Sequence, residues 1–357
     1  MQDGKLYFVT GGAGFIGSCF VIDTLAQNTG NVLNLDKLTY SGNPHNLDSL
    51  GPEAKARYNF VHGDIGDAAL VSRYLNQCQP DAVVNFAAET HVDRSIADPS
   101  AFIRANVAAL GVFLETVLNW WRTLAPEKAA AFHFLHVSTD EVFGALGPDD
   151  PSFTEQTPYA PNSPYAASKA AGDHLVRAFH HTYGLPVLIT NCSNNYGPRQ
   201  FPEKLIPLAI LNALAGRAIP VYGSGGNIRD WLHVQDHCSA VHLALQKGSS
   251  GQSYNIGGKS EKTNLEVVRN ICLLLDEMRP DAGGSYQRLI TMVKDRPGHD
   301  FRYSINCAKI ERELGWRPEH TFAEGLRETV LWYLNNESWL ASVQTGEYRR
   351  WIAAHYS

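Results

Sequence analysis

Leu6-Tyr7-Phe8-Val9-Thr10-Gly11-Gly12-Ala13-Gly14-Phe15-Ile16-Gly17 is an apolar run that breaks into glycines and resumes as a helical pattern at Phe15. Glycines at 11, 14 and 17 set a GxxGxxG spacing. Such a loop lets the backbone approach a pyrophosphate closely. The helix after it aims free N–H groups and the positive end of its dipole at that phosphate. Glycine patterns alone are common, but this one lies between a strand and a helix, the setting of a dinucleotide loop. Asp36 closes the next apolar run. A carboxylate there accepts hydrogen bonds from adenosine ribose hydroxyls and repels a 2′-phosphate, which favours NAD over NADP. Lys37 beside it weakens that exclusion, and a solvated turn is the plainer reading of the same residues.

Working outward, apolar runs recur at Val32–Leu35, Tyr58–Val61, Ala82–Phe86, Phe132–Val137 and Val187–Thr190. They are continuous rather than alternating, as expected of parallel strands buried on both faces. The intervals hold crossover helices, so the expected fold is α/β: a doubly wound, mostly parallel sheet with a smaller C-terminal lobe. The expected division is a dinucleotide-binding unit over 1–193 and a substrate lobe over 194–357, with some later segments returning to the sheet. Helices are predicted over Leu265–Met278 and Phe322–Asn335, the second opened by a capping box of Thr321 and Glu324. The segments Ala101–Trp121 and Pro164–Tyr183 are apolar on most sides. Pattern alone leaves two readings open for them, packing on the sheet or forming a seam with a second copy.

The chain has 357 residues, enough for a large domain and a smaller partner. It is 44% hydrophobic and 18% charged, with a formal net charge of -6, so nothing favours nucleic acid or an anionic membrane as a partner. Its cysteines at 19, 78, 192, 238, 272 and 307 show no CxxC spacing. No metal site and no disulfide framework are therefore expected, and a reducing cytoplasm is the expected compartment. No uninterrupted run of 18 or more apolar residues occurs, and no spanning helix is expected.

Tyr165 and Lys169 sit four apart in a predicted helix, hence on one face. A phenol of pKa about 10 needs nearby positive charge to serve as a base near neutrality, and an ammonium supplies part of it. Such pairs also arise by chance on exposed helices. Ser138-Thr139-Asp140-Glu141 closes the fifth apolar run, where open α/β sheets place ligands. Adjacent carboxyls push their pKa values apart, so one can stay protonated as an acid while the other acts as a base. The plainer reading is a solvated acidic turn. In a continuing strand, 140 and 141 would face opposite sides, so both reach one substrate only if the strand ends there.

Together the glycine loop, Asp36, Thr139, Tyr165 and Lys169 resemble the extended short-chain dehydrogenase/reductase family. The Thr139-Asp140-Glu141 triplet is similar to that of its dTDP-glucose 4,6-dehydratases. So are Asp36-Lys37-Leu38-Thr39-Tyr40, His91-Val92-Asp93-Arg94-Ser95, Asn194-Asn195-Tyr196-Gly197-Pro198, Arg229-Asp230-Trp231 and Asp295-Arg296-Pro297-Gly298-His299-Asp300. The resemblance runs over nearly the whole chain. It implies removal of water from a nucleoside-diphosphate hexose to give a 4-keto-6-deoxy sugar, as in rhamnose-type deoxysugar synthesis, with NAD reduced and reoxidised in one turnover. The implied catalytic residues are Thr139, Asp140, Glu141, Tyr165 and Lys169. The implied cofactor contacts are Gly11, Gly14, Phe15, Ile16, Gly17, Asp36, Lys37, Thr39, Asp64, Ile65, Ala87, Ala88, Tyr165, Lys169 and Asn194. The implied substrate contacts are Glu89, His91, Thr139, Asn195, Lys204, Tyr222, Arg229, Asn264, Arg296 and His299, with Arg229 and Arg296 suited to the two phosphates. His233 and His237 are read as structural. A homodimer through helices 101–121 and 164–183 is also implied. The rivals are a UDP-, GDP- or CDP-hexose dehydratase, a UDP-sugar 4-epimerase, which needs no acid–base pair, and a dinucleotide sensor without chemistry.

Overall fold

The computed structural model describes residues 4–27, 29–344 and Arg350. Seven strands form one sheet: β1 (Lys5–Thr10), β2 (Gly30–Asp36), β3 (Tyr58–His62), β4 (Ala82–Asn85), β5 (His133–Thr139), β6 (Val187–Cys192) and β10 (Ser253–Ile256). Their order is β10-β6-β5-β4-β1-β2-β3 and every pairing is parallel. The six predicted runs supply six of these strands. The seventh returns from the second half of the chain and pairs with β6. Chain order reverses at β1 beside β4, so the carboxyl ends of these strands open a crevice there. Buried strand residues such as Phe8, Val9, Val83, Val84, Phe134 and Leu135 are inaccessible to solvent, which explains the unbroken apolar runs.

The second lobe carries β7 (Asn194–Tyr196), β9 (Ile228–His233) and β11 (Glu261–Thr263) in one small sheet, and β8 (Ile219–Tyr222) with β12 (Ile290–Val293) in another. Its own core includes Ile210, Val267, Ile271, Leu326 and Val330. The helices Asn264–Met278 and Phe322–Asn335 end where the residue pattern placed them, and Thr321 and Glu324 form the capping box. A second capping box, Thr263 with Glu266, opens the first of these. The helix Val234–Lys247 packs instead against the glycine-loop helix Phe15–Ala26 and the large sheet.

The helix Pro99–Trp121 is long and apolar enough to cross a membrane by length and composition alone. This qualifies the expectation drawn from uninterrupted runs, because Arg104, Asn106 and Glu115 interrupt the run without lowering the average enough. Leu110, Phe113, Leu114 and Val117 are buried in the core that covers the sheet, as in the core helix of a folded domain. A π-helical turn at Arg104–Ala109 interrupts it. The helix Pro164–Tyr183 lies beside it, capped by the Ser163 side chain and ended by Gly184 at φ 75°.

Candidate active site

Gly11 has φ +72°, and a Cβ on it would come within 2.7 Å of the Ala87 nitrogen on the next strand's loop. A Cβ on Gly17 would collide with the Gly11 carbonyl. These positions therefore hold the turn tight. Gly14 precedes the loop helix and offers no side-chain cap, so the first N–H groups stay available to an anion. Asp36 accepts the Ala13 and Leu38 N–H groups at 2.9 and 2.8 Å, which ties the glycine loop to the end of β2. Lys37 pairs with Asp64 at 2.7 Å. Its charge is thereby matched on the protein, which restores the bias against a 2′-phosphate that Asp36 sets up.

A cavity of about 590 Å³ runs from this loop to the carboxyl end of β5. Every residue implied as a cofactor contact lines it, as do Glu89, Asn195, Lys204 and all five implied catalytic residues. A second cavity of about 160 Å³ adjoins it and is lined by His91, Asn195, Lys204, Tyr222, Arg229, Asn264, Arg296 and His299. Glu141 lines both. The residues fit a dinucleotide: a glycine cradle closed to any Cβ, an uncapped helix start and a carboxylate at the end of β2.

Strand β5 ends at Thr139, and a 3₁₀ turn over Asp140–Phe143 follows. The Glu141 N–H donates to the Thr139 hydroxyl at 3.3 Å, so Thr139 caps the turn. This is the break that lets both acids face one cavity. Asp140 is buried, and its Oδ2 has no hydrogen-bond partner. Burial raises its pKa well above the usual carboxylate value, and the Glu141 and Asp230 charges push the same way. Burial raises Glu141 too, but Arg296, Arg229 and Lys204 pull it back. Both are raised, Asp140 well above its ordinary value and Glu141 against the opposition of three cations, so the two neighbours sit in different environments.

Tyr165 and Lys169 are buried on one face of their helix. Lys169 Nζ donates to the Val137 carbonyl at 2.8 Å. Burial raises the Tyr165 phenol well above its ordinary value, the Glu141 and Cys192 charges add to this, and only a Thr139 hydrogen bond opposes it. Lys169 is itself lowered by burial and turned to a carbonyl, so it does not bring the phenol down. More positive charge must enter the cavity before Tyr165 is a base near neutrality.

The phosphate arginines differ from each other. Arg229 donates to the Ile228, Phe301 and Asp300 carbonyls at 2.7, 3.3 and 2.9 Å and lies 4.1 Å over the Tyr303 ring. Its hydrogen-bond partners are carbonyls, so its charge is not cancelled. Arg296 instead pairs with Asp93 at 3.1 Å, and Tyr222 also donates to Asp93 at 3.2 Å. Lys204 donates to the Thr90 carbonyl, and His299 pairs with Asp295.

Several contributors escaped the sequence reading. Asp173 lies behind Lys169, raises its pKa, and accepts from Ser138, Tyr159 and Asn191. The four-residue spacing 165, 169, 173 was its available signal. Asn106, in the π-helical turn, accepts the Glu89 N–H and donates to the Glu89 carbonyl and the Ser168 hydroxyl at 2.8–2.9 Å. It joins the Glu89 loop to the Tyr165 helix. His237, read as structural, pairs with the Asn195 side chain at 2.9 Å.

A family model described as GDP-mannose 4,6 dehydratase matches residues 8–329. A dTDP-glucose 4,6-dehydratase of Xanthomonas campestris is 58% identical over 344 residues, 96% of this chain and 97% of that one. The chain belongs to the dTDP-glucose 4,6-dehydratase family. The member from Salmonella typhimurium is 53% identical over 98% of both chains. Among solved structures of the family, DesIV of Streptomyces venezuelae, crystallised with NAD, has 47% identity and a TM-score of 0.85, covering 95% of this chain and 100% of that one. A UDP-glucose 4-epimerase of Thermus thermophilus, in complex with NAD, shares the fold at 29% identity and a TM-score of 0.80, covering 93% of this chain and 99% of that one.

Proposed function

We propose that this chain removes water from dTDP-glucose to give dTDP-4-keto-6-deoxyglucose, with NAD as its resident cofactor, in deoxysugar synthesis of the rhamnose type. One observation carries the reading: Asp140 and Glu141, in different environments, share a cavity with Tyr165 and Lys169. NAD, held by the glycine loop and Asp36, would supply positive charge and the hydride acceptor that C4 oxidation and C6 reduction need. Tyr165 accepts the proton of the sugar 4-hydroxyl, with the Thr139 hydroxyl bonded near that oxygen and Lys169 holding the site's positive charge. The C4 ketone acidifies the neighbouring C5–H. Glu141, where Arg296, Arg229 and Lys204 oppose the rise that burial causes, removes that proton and returns it to C5 as hydride reaches C6. Asp140, kept protonated by burial, gives its proton to the 6-hydroxyl, which leaves as water. Arg229, with its charge uncancelled, holds a phosphate, and Arg296 joins it by exchanging Asp93 for the other. Glu89, His91, Asn195, Lys204, Tyr222, Asn264 and His299 form the remaining substrate wall.

The functional units are 1–193 for the dinucleotide and 194–357 for the nucleotide sugar; the far end of the second lies outside the described residues. We further infer a homodimer through Pro99–Trp121 and Pro164–Tyr183 and a cytoplasmic setting, which suits six free thiols.

Incubation with dTDP-, UDP- and GDP-hexoses tests the reading. The expected result is alkali-absorbing 4-keto product from dTDP-glucose, without net consumption of NAD. An epimerised sugar and no ketosugar would move the chain to the 4-epimerases, where the acid pair has no task.

A further inference from the structure

Two segments far apart in sequence bring two imidazoles and a carboxylate together outside the catalytic cavity. His233 ends β9, His320 precedes the helix Phe322–Asn335, and Glu328 lies on that helix. One ligand atom from each lies within 4.8 Å of the other two. His233 is 3% exposed, and neither of its ring nitrogens has a hydrogen-bond partner. A buried imidazole without partners loses its hydration with nothing in return, so the site is short of one component. His320 is oriented from behind: Asp236 lies 2.9 Å from its Nδ1 and accepts its backbone N–H at 3.0 Å. That arrangement directs Nε2 forward, where Glu328 lies 3.9 Å away. A carboxylate behind a histidine is the usual support of a metal-ligating imidazole, fixing its tautomer and ring plane.

We propose that His233, His320 and Glu328 bind a divalent transition-metal ion of the zinc class, with water in the fourth position. Two imidazole nitrogens and one carboxylate oxygen suit such a borderline ion better than calcium or magnesium. Metal–ligand bonds of about 2.0–2.1 Å need the donor atoms about 3.3 Å apart, so the set must tighten slightly. Glu328, 58% exposed at its side chain, supplies the movement, and His320 is itself partly exposed. The ion would clip β9, which also carries Arg229, to the helix Phe322–Asn335. His320 bridging Asp236 and Glu328 is the competing account, and it leaves both nitrogens of His233 unexplained. The other cluster with donor chemistry among the described residues is Cys19, Asp23 and Cys238, whose thiols give a different spectrum.

The test uses the full-length protein, stripped with a chelator and dialysed against micromolar Zn(II) or Co(II). The expected result is a single retained equivalent, a higher melting temperature, and cobalt d–d bands with no thiolate charge-transfer band. His320→Gln and Glu328→Gln, both at partly exposed positions, should keep a cooperative melt and lose affinity by roughly tenfold or more. Cys19→Ser should bind as the parent does. Absence of retained zinc, equal binding by parent and His320→Gln, or a thiolate band would each overturn the proposal.

Discussion

Asp140 and Glu141 share a backbone and a cavity but not an environment. Asp140 meets like charges from Glu141 and Asp230, whereas Glu141 faces Arg296, Arg229 and Lys204. Activity should therefore need Asp140 protonated and Glu141 ionised, giving a bell-shaped dependence of turnover on pH. Lys204→Gln removes one cation that lowers Glu141, so the acid-side limb should move to higher pH; an unmoved limb would assign it to another group. Asp140→Asn should cost turnover about 10²–10⁴-fold. It should also stabilise the protein. The folded pKa of Asp140 is raised, so its contribution is intact below the unfolded value of about 4 and is lost as pH rises toward the folded one. Melting curves should thus coincide for parent and variant near pH 4 and separate above it, by roughly 0.5–2 kcal/mol in favour of Asn. Tyr165→Phe should cost turnover within the same range of about 10²–10⁴-fold, since it removes the group proposed to take the 4-hydroxyl proton. The acid pair was legible because two adjacent carboxyls at a strand end are costly without a task. Asp93 and Asp173 were not, because each looks like an ordinary helix carboxylate until a partner from elsewhere, Arg296 or Ser138, is brought to it.

At the scale of elements, the parallel strands and the glycine loop were legible because burial on both faces writes an unbroken apolar run. The capping box at Thr321 was equally plain. The π-helical turn at Arg104–Ala109 was not, since its residues are ordinary helix formers; Asn106 within it clamps the Glu89 loop. Asn106→Ala should leave the Glu89 N–H and carbonyl without their partner and cost about 1–3 kcal/mol in chemical denaturation, while Ser168 keeps its bond to the Tyr165 carbonyl. A variant as stable as the parent would make the turn incidental. The second lobe was legible only as helices. Its strands run three to six residues, and strand order there is set by long-range partners such as β7 against β9.

At the scale of the whole molecule, packing on the sheet accounts for one face of the apolar helices, and the seam with a second copy is the proposed cover for the rest. One face of Pro99–Trp121 is core, yet only 39% of its most apolar stretch is buried within this chain. Ile103 is 50% exposed and Tyr183, at the end of the neighbouring helix, is 45% exposed. Apolar area of that kind asks for cover, and a second copy presents the same stripe. In a two-fold pairing the seam is self-complementary, so each substitution acts in both copies. Ile103→Glu would set a carboxylate from each copy into one apolar seam, at the cost of desolvating both charges. Sedimentation velocity at micromolar concentration should show a dimer for the parent and a monomer for this variant. Because Ile103 points away from the sheet core, the variant should still melt cooperatively and keep its dinucleotide. A parent that sediments as a monomer would leave the exposed stripe without its proposed cover.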